Sequence, residues 1–589
     1  MSESQSQALL RLAKDAGYAW YTSTRGEPYG VIDGESVARP LRGGRGSVRA
    51  DLVRRYAEET GAAPNANAIA DAMLALEGRT YVGAERELHL RTARQGDTVW
   101  LDPGTNTHEI VRITPRGWSV EPGAGPAGGG PMFRRTRLSG PLPEPAPAGT
   151  GDLSALRAMM RVSDDVWPLI EAWLVSVLIL PGQPVPVLAL SGEHGTAKSY
   201  QTALLVQLVD PSDAPLRTAP RDVESWAVAA AASRVVALDN VSRIEPWLSD
   251  ALCRAVTGDG MVRRALYSSE DVSVLSFRRA IAINGIALGG LRGDLADRLI
   301  RVDLGQLGED SRRDEADLAA EWEKAHPVAL GGLLDLASAV LGALPSVHLD
   351  RLPRMADYAR VVAAVDQVTG SKGLEAYLGQ RESLAAETVE SDPVAAAIAA
   401  LATTREAEAL GPWEGTAADL LAVLPAPDGS ARDYWPANSQ QMTARLTRAA
   451  PTLRQVGLDV ADLSGPRGAG RRNAPKRWRL AAPSPDEIGA GDCPARPGVP
   501  GRGSAAGQPP GTGGDSPGTD PGQADGALWD VPGHVPGVSA GQQTTGTAGT
   551  EGTVSRHQFT CEACGEPMTV IEPGQRTHPS CPDGGDTAP

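Results

Sequence analysis

The chain carries the segment Gly192-Glu193-His194-Gly195-Thr196-Ala197-Lys198-Ser199 directly after the apolar run Val187–Ser191. An apolar run that leads into a Gly-rich turn and a helical pattern predicts a strand, a loop and a helix. Small residues let consecutive backbone N–H groups surround phosphate oxygens at the positive end of a helix. In such a loop Lys198 reaches the outer phosphates and Ser199 holds Mg²⁺. The segment therefore predicts a site for ATP and Mg²⁺, although Ala197 replaces the usual second glycine.

Composition limits the classes of protein that this chain can be. It has 589 residues, 41% of them hydrophobic, and a net charge of −16, which excludes a protein that coats nucleic acid indiscriminately. The longest apolar run, 166–180, is interrupted by Pro168 and Glu171 and is too short to span a bilayer. The polar N-terminus does not resemble a secretion signal. We therefore expect a cytoplasmic protein with no membrane contact, whose nucleic-acid contacts come from local basic patches.

Periodicity and composition predict how the chain is divided. The predicted parts are an N-terminal α+β module (1–120), Gly/Pro-rich spacers with a basic strand (121–152), an α/β nucleotide-binding core (153–310), a helical lid (311–390), a winged-helix-like DNA-binding domain (391–483), a disordered linker (484–555) and a zinc-binding mini-domain (556–589).

A second buried-strand pattern ends in an acid. The run 234–238 is followed by Asp239 and Asn240, and this resembles a Walker B strand, in which Asp239 holds Mg²⁺ through water from the strand next to the phosphate loop. Asn240 stands where such ATPases usually have a glutamate. An amide orients water but is no base, so hydrolysis is either slow or assisted by another acid, Glu193 or Glu245. An ordinary core strand that ends in a turn is the simpler alternative for this run.

A third buried strand and an arginine complete the pattern. Asn284 ends the apolar run 279–283, at the sheet edge where ligands bind in open α/β folds. Arg298 then follows in a helical turn before a further strand. This order resembles the AAA+ ATPases, and the resemblance implies that Asn284 senses the γ-phosphate and that Arg298 is an arginine finger. Arg292 and Arg301 are alternatives for the finger, and an arginine in a local ion pair is the simpler interpretation.

Residues 260–277 form two strand-like runs around a polar turn, ahead of Asn284. With this insert the order resembles superfamily 3 helicases and the helicase part of phage and poxvirus primase-helicases. The resemblance spans about 153–390 and implies a homo-oligomeric ring, for example a hexamer, with a hairpin that follows DNA. It makes Arg263, Arg264 and Tyr267 candidate DNA contacts, with a solvated hairpin edge as the alternative.

Two further sites are predicted towards the C-terminus. The winged-helix-like domain has basic residues on a candidate recognition helix and on the following loop, where a merely solubilising loop is the alternative. These candidate DNA contacts are Arg445, Arg448, Arg471, Arg472, Lys476 and Arg477. Near the end of the chain, Cys561, Cys564, His578 and Cys581 have the spacing of a closed, structural zinc site.

The sequence thus predicts an α/β P-loop NTPase of AAA+ type that acts on DNA in replication, encoded by a phage, plasmid or integrated element. The N-terminal module or the zinc tail would contact another replication protein. One rival is an ATP-dependent DNA-binding switch or loader with weak or no hydrolysis, which Asn240 favours. A second rival is a small-molecule kinase, which would share the phosphate loop but would need neither Asn284 nor Arg298.

Overall fold

The structure is a computed structural model, and its described residues are 3–44, 46–193, 195–264, 272–285, 293–305, 314–464, 475–482, 559–560 and 567–568. The side chains of 259, 261–264, 272–276, 430, 431, 433 and the last four of these residues are not described. The chain divides into two compact units, 1–494 and 495–589. The predicted linker and zinc ligands lie outside the described residues.

The N-terminal region combines three helices with two sheets. Its elements are α1 (Gln5–Asp15), β1 (Tyr18–Ser23), β2 (Pro28–Ile32), β3 (Val37–Pro40), α2 (Val48–Thr60), α3 (Ala66–Thr80), β4 (Glu85–Arg86), β5 (Leu88–His89), β6 (Thr92–Gln95), β7 (Thr98–Leu101), β8 (Glu109–Thr114), β9 (Gly117–Pro122) and β10 (Met132–Arg134). One sheet has the order β4-β1-β2-β3-β10-β5, and the other is the meander β6-β7-β8-β9. The basic spacer strand β10 is therefore part of the N-terminal sheet.

The central region has a parallel sheet flanked by helices. Its elements are α4 (Ser154–Met159), α5 (Trp167–Ile179), β11 (Val187–Ser191), α6 (Lys198–Val209), β12 (Leu216–Thr218), α7 (Val223–Ala231), β13 (Val235–Asp239), α8 (Pro246–Thr257), β14 (Asp259–Arg264), β15 (Val272–Phe277), β16 (Ala280–Gly285), α9 (Gly293–Ala296) and β17 (Leu299–Asp303). The five parallel strands have the order β12-β13-β16-β11-β17. Strand β11 is apolar and fully buried because helices cover both faces of such a sheet.

The strand order corrects one expectation. The strand of Asp239, β13, does not neighbour the loop strand β11, because β16 lies between them. Helix α6 packs against β16 and β13 as well as β11, so it crosses the intervening strand. The start of the helix therefore remains close to the carboxyl end of β13.

Helices follow the sheet, as predicted for 311–390. They are α10 (Glu315–Ala343), α11 (Ala356–Thr369) and α12 (Gly373–Ser391), with a short 3-10 helix at Leu344–Ser346. Helix α11 packs on α5, where the Tyr358 hydroxyl donates to the Leu169 carbonyl at 2.9 Å. Helix α10 contacts the meander, and the Trp118 indole donates to Asp335 at 2.8 Å. One hydrophobic core is therefore continuous across the spacers at 121–152.

One helical stretch among the described residues, Glu315–Ser346, is long and apolar enough to cross a membrane by length and composition. Within its most apolar window 56% is buried inside the fold. Because a core helix of a soluble protein has the same composition and burial, the stretch is weak evidence for a membrane span.

A smaller core follows at 393–482. Its elements are α13 (Pro393–Ala407), β18 (Trp413–Thr416), α14 (Ala417–Val423), α15 (Ser439–Gln455), β19 (Asp459–Asp462) and β20 (Arg477–Ala481), with a 3-10 helix at Gly429–Tyr434. The strands form an antiparallel sheet in the order β18-β20-β19. The side chains of β20 alternate between the two faces of the sheet, so that Trp478 and Leu480 are buried while Arg477 and Arg479 face solvent. In the second unit the described strands are β21 (Phe559–Thr560) and β22 (Pro567–Met568).

Candidate functional site

The predicted phosphate loop connects the carboxyl end of β11 to the first turn of α6. Gly195 has a φ of 83° and Ala197 a φ of 55°, so both adopt the left-handed conformation that favours glycine. A Cβ on Gly192 would lie 2.8 Å from the Thr196 hydroxyl oxygen and 3.2 Å from the Leu304 carbonyl oxygen, so a larger residue there would force its neighbours to shift. His194 lies outside the described residues. The backbone thus turns tightly in front of the N–H groups that begin α6, where an anion is stabilised.

The cationic and hydroxyl side chains of this loop lie at the same edge. The Lys198 ammonium donates to the carbonyls of Gly192 and Glu193, at 2.8 and 2.6 Å, so it is held over the loop. The Ser199 hydroxyl donates to the Asp239 carboxylate at 2.7 Å. The two predicted Mg²⁺ ligands are therefore in direct contact.

The predicted sensor residue ties two strands to the loop helix. Asn284 is buried, and its side-chain oxygen accepts the backbone N–H of Asn240 at 2.9 Å. Its amide nitrogen donates to the Thr202 hydroxyl at 3.2 Å. Asn240 has a φ of 52°, a conformation that asparagine tolerates better than most residues. Asn284 thus fixes the backbone immediately after Asp239.

Two residues of α6 that sequence reasoning missed brace the loop. The buried Gln201 donates from its amide to the Thr196 carbonyl at 2.9 Å, and Thr202 donates to the Lys198 carbonyl at 2.8 Å. Both are polar residues among the buried positions of the helix, and the other buried positions are apolar. That polarity is the signal in the sequence that could have identified them, because buried polar groups need hydrogen-bond partners.

These residues surround a cleft of about 380 Å³. Its lining consists of Gly195, Thr196, Ala197, Lys198, Ser199, Tyr200, Asp239, Asn240 and Asn284. The donors fit a phosphate, since the loop N–H groups and Lys198 are cationic or positively polarised. The pair Ser199 and Asp239 offers the oxygen ligands that Mg²⁺ prefers. Asp239 is the only acid in the described lining, so no second carboxylate stands beside it there.

Arg298 does not join this cleft in the described structure. Its side chain is 9% exposed and pairs with Asp294 at 2.8 Å, and it also donates to the Asp294 carbonyl at 2.7 Å. Burial would raise the pKa of Asp294, but the hydrogen bond and charge of Arg298, with the charge of Arg354, hold it below its usual value. A finger that enters a neighbouring subunit needs an exposed guanidinium, so this geometry favours the local ion pair.

The alternative Arg301 does not line the described cleft either. Arg301 pairs with Glu387 at 2.7 Å and with Asp303 at 3.3 Å. Arg292 lies outside the described residues. Glu193 and Glu245, the alternative acids, do not line the described cleft; Glu245 pairs with Arg243 at 3.3 Å.

Comparisons with known proteins cover most of the central and C-terminal regions. Residues 154–387 match the family model described as actinomycete integrative conjugative element replication protein. Residues 394–491 match the model of the C-terminal domain of the same proteins, AICE RepA. Both segments are similar to replication proteins of integrative conjugative elements. The first match includes all the residues that line the described cleft. The first match ends, and the second begins, close to the junction of α12 and α13.

Searches of other proteins add little to this similarity. No curated protein matches the chain. Among solved structures, the apo C-terminal region of NrS-1 has 10% identity and a TM-score of 0.34, covering 81% of this chain and 98% of that one. The JCV helicase has 12% identity and a TM-score of 0.19, covering 40% of this chain and 70% of that one. At these TM-scores the likeness supports no conclusion about fold or function.

The segment that resembles the RepA C-terminal domain carries part of the predicted basic surface. Arg448 on α15 and Arg477 on β20 are exposed. Arg445 lies 3.8 Å from Asp392, and Lys476 pairs with Asp462 at 2.9 Å while its ammonium lies 5.3 Å from the Trp478 ring centre. Arg448 and Arg477 are therefore the more exposed of these four candidates for the predicted contact with phosphates. Arg471 and Arg472 lie outside the described residues.

The predicted hairpin is present as β14 and β15, which pair antiparallel from Asp259 opposite Phe277 to Arg264 opposite Val272. The backbone of Arg263 and Arg264 lies on β14. Tyr267 lies outside the described residues, as do Cys561, Cys564, His578 and Cys581. The DNA-contact and zinc assignments for these residues stay predictions.

Proposed function

We propose that the chain is an ATP-binding replication protein of an integrative conjugative element, which couples the nucleotide to work on DNA in the manner of AAA+ helicases. The observation that carries this proposal is the meeting of Lys198, Ser199, Asp239 and Asn284 at one edge of the parallel sheet. Asp239 and Asn284 come from the ends of two strands, and Lys198 and Ser199 come from the start of one helix. Lys198 supplies a cation that can bind phosphate, and Ser199 and Asp239 supply two ligands for Mg²⁺. Asn284 supplies a buried polar group that holds the backbone after Asp239.

The bound ATP and Mg²⁺ would supply a polarised γ-phosphate for transfer to water. Lys198, now held by two loop carbonyls, would exchange these for phosphate oxygens. Ser199 would turn its hydroxyl from Asp239 to the metal, while Asp239 would hold water in the metal's coordination shell. Asn284 would keep Asn240 in place, so that the Asn240 amide faces the water without removing its proton.

The absence of a second acid in the described cleft favours a second function, an ATP-dependent DNA-binding switch or loader with weak hydrolysis. Both functions require ATP at Lys198, and they differ in turnover. The discriminating variant is Asn240→Asp, because aspartate also tolerates the left-handed backbone and adds a carboxylate. Increased turnover in this variant would show that the natural chain lacks a base.

The proposal is tested by DNA-stimulated ATP hydrolysis of the full chain and of Lys198→Ala. For a motor we expect the natural chain to hydrolyse ATP at least about tenfold faster than Lys198→Ala, which corresponds to about 1.4 kcal/mol of transition-state stabilisation. Equal rates, with ATP-analogue binding by the natural chain but not by Lys198→Ala, would reject the motor and leave the switch. Analogue binding by both chains, or by neither, would reject the proposed nucleotide site itself.

DNA binding and assembly complete the proposal. A three-stranded sheet with α13, α14 and α15 has the composition of a winged helix, and the exposed Arg448 and Arg477 would contact phosphates. Arg448→Gln should weaken DNA binding and reduce its salt dependence. Ring assembly with ATP and DNA is testable by light scattering, and a monomer under these conditions would reject it. Because Arg298 is buried, a ring that needs an arginine finger at the neighbouring subunit's nucleotide must either expose Arg298 or use another cation for this role.

A further inference from the structure

A second cavity, of about 700 Å³, lies between the N-terminal region and the central sheet. Its lining is rich in guanidinium groups, which belong to Arg25, Arg134, Arg234, Arg278 and Arg279. The acids in the described lining are Glu27 and Glu87, and both are exposed. The cavity therefore carries an excess of positive charge within a protein whose net charge is −16.

The cavity is separate from the nucleotide cleft. Arg234 directly precedes β13 and Arg279 directly precedes β16, so both lie at the amino ends of these strands. The cleft residues Asp239 and Asn284 lie at the carboxyl ends of the same strands. At about 3.3 Å per residue, the five-residue separation between Arg234 and Asp239, and between Arg279 and Asn284, places the two sites roughly 17 Å apart. The described linings of the two sites share no residue.

Two of the arginines are buried and held only by neutral groups among the described residues. Arg234 is 3% exposed and donates to the carbonyls of Val177 and Leu180, at 3.0 and 3.1 Å. Arg279 is 8% exposed and donates to the Ala230 carbonyl at 2.6 Å. The Arg234 Nε is buried without a hydrogen-bond partner in the described structure. Backbone carbonyls position these guanidinium groups but do not neutralise their charge.

Asp210, a buried acid whose charge acts on both arginines, is already engaged. Asp210 pairs with Arg91 at 2.9 Å and accepts the backbone N–H groups of Arg234 and Val235. Burial lowers the pKa of Arg234 to about 10. Burial together with the charges of neighbouring arginines lowers the pKa of Arg279 to about 9. Buried like charges are costly unless an anion neutralises them. The cavity therefore carries buried positive charge that the described acids do not neutralise.

We propose that this arginine cavity binds the phosphate groups of a nucleotide or of a nucleic-acid strand, at a site distinct from the phosphate loop. Guanidinium groups match phosphate oxygens in geometry and charge. The volume lies within the range of cavities that hold small ligands. Gly258 and Phe277 of the lining also adjoin the base of the β14–β15 hairpin, so a strand following the hairpin would meet the cavity. The proposal does not depend on ATP binding at Lys198.

The experiment uses the full chain carrying Lys198→Ala, so that the phosphate loop contributes little. Calorimetric titrations at low salt use two probes, inorganic tripolyphosphate and a short single-stranded oligothymidylate. The cavity variant adds Arg25→Gln and Arg278→Gln. The matched control adds Arg360→Gln, because Arg360 also donates to a backbone carbonyl, that of Leu344, but lies outside the cavity.

We expect the cavity variant to bind at least one probe at least about tenfold more weakly than the control. Loss for tripolyphosphate identifies a free nucleotide-like ligand, whereas loss for the oligonucleotide alone identifies a strand. Arg278 also bonds to the carbonyls of Gly182 and Thr257, so Arg25→Gln alone, at an exposed position, serves as a second variant. No binding of either probe, or equal affinities for cavity and control variants, would overturn the proposal.

Discussion

Replacing Ala197 with glycine should stabilise the chain before any nucleotide binds. Ala197 has a φ of 55° and a ψ of 34° at the start of α6. This left-handed conformation costs a residue with a Cβ roughly 1–2 kcal/mol. Glycine avoids that cost but adds about 0.4–1 kcal/mol of conformational freedom to the unfolded chain. The difference predicts that Ala197→Gly raises the free energy of unfolding by about 0.5–1 kcal/mol.

Thermal unfolding of the full chain measures this effect. The transition of the central region is identified as the one that a non-hydrolysable ATP analogue with Mg²⁺ shifts upward. Its midpoint should rise by about 1–3 °C in Ala197→Gly. The matched control is Ala409→Gly, because Ala409 has a φ of 52° in the C-terminal region, remote in sequence from the loop. If the control is stabilised but Ala197→Gly lowers the midpoint, the argument from backbone strain is wrong for this loop.

Three further predictions follow from buried or clustered groups. Asn284→Ala should lower the free energy of unfolding by about 1–3 kcal/mol, because the Asn240 N–H loses its acceptor; an unchanged midpoint in the same thermal assay would contradict it. Burial lowers the pKa of His326 in the folded chain to about 4, below the 6.5 of an ordinary histidine. As the pH falls, the imidazole therefore gains a proton in the unfolded chain before it does so in the folded chain. The stability present above pH 6.5 is lost as the pH falls towards 4. The stability difference between the natural chain and His326→Gln should therefore change by up to about 3 kcal/mol over this range, and parallel urea titrations that give a constant difference would refute it. Metal analysis of the full chain should find about one Zn²⁺ per chain and much less in Cys561→Ser; equal zinc in both would remove the zinc assignment.

Local patterns in the sequence predicted the elements that carry the site. The apolar run before Gly192 predicted β11, and Lys198 was predicted at the start of its helix. Asp239 and Asn284 were predicted at the ends of buried strands. These inferences succeed because strand, turn and helix start depend on residues close together in the chain.

Other features depend on packing between distant segments, and the sequence did not predict them. It placed the strand of Asp239 next to the loop strand, although β16 lies between them. The family resemblance implied an arginine finger at Arg298, with a local ion pair as the alternative, and the fold buries that side chain against Asp294. Gln201 gave only a weak signal, since its role requires a partner at Thr196.

The sequence by itself determined the Gly-rich turn between β11 and α6, the alternation of strands and helices, and the polar residues at the strand ends. Tertiary structure alone decided the strand order, the burial of Arg298 and the arginine cavity. That cavity brings Arg25, Arg134 and Arg279 together from separate elements. No periodicity or spacing relates such residues, because their proximity is set by how the N-terminal region packs on the amino ends of the central strands.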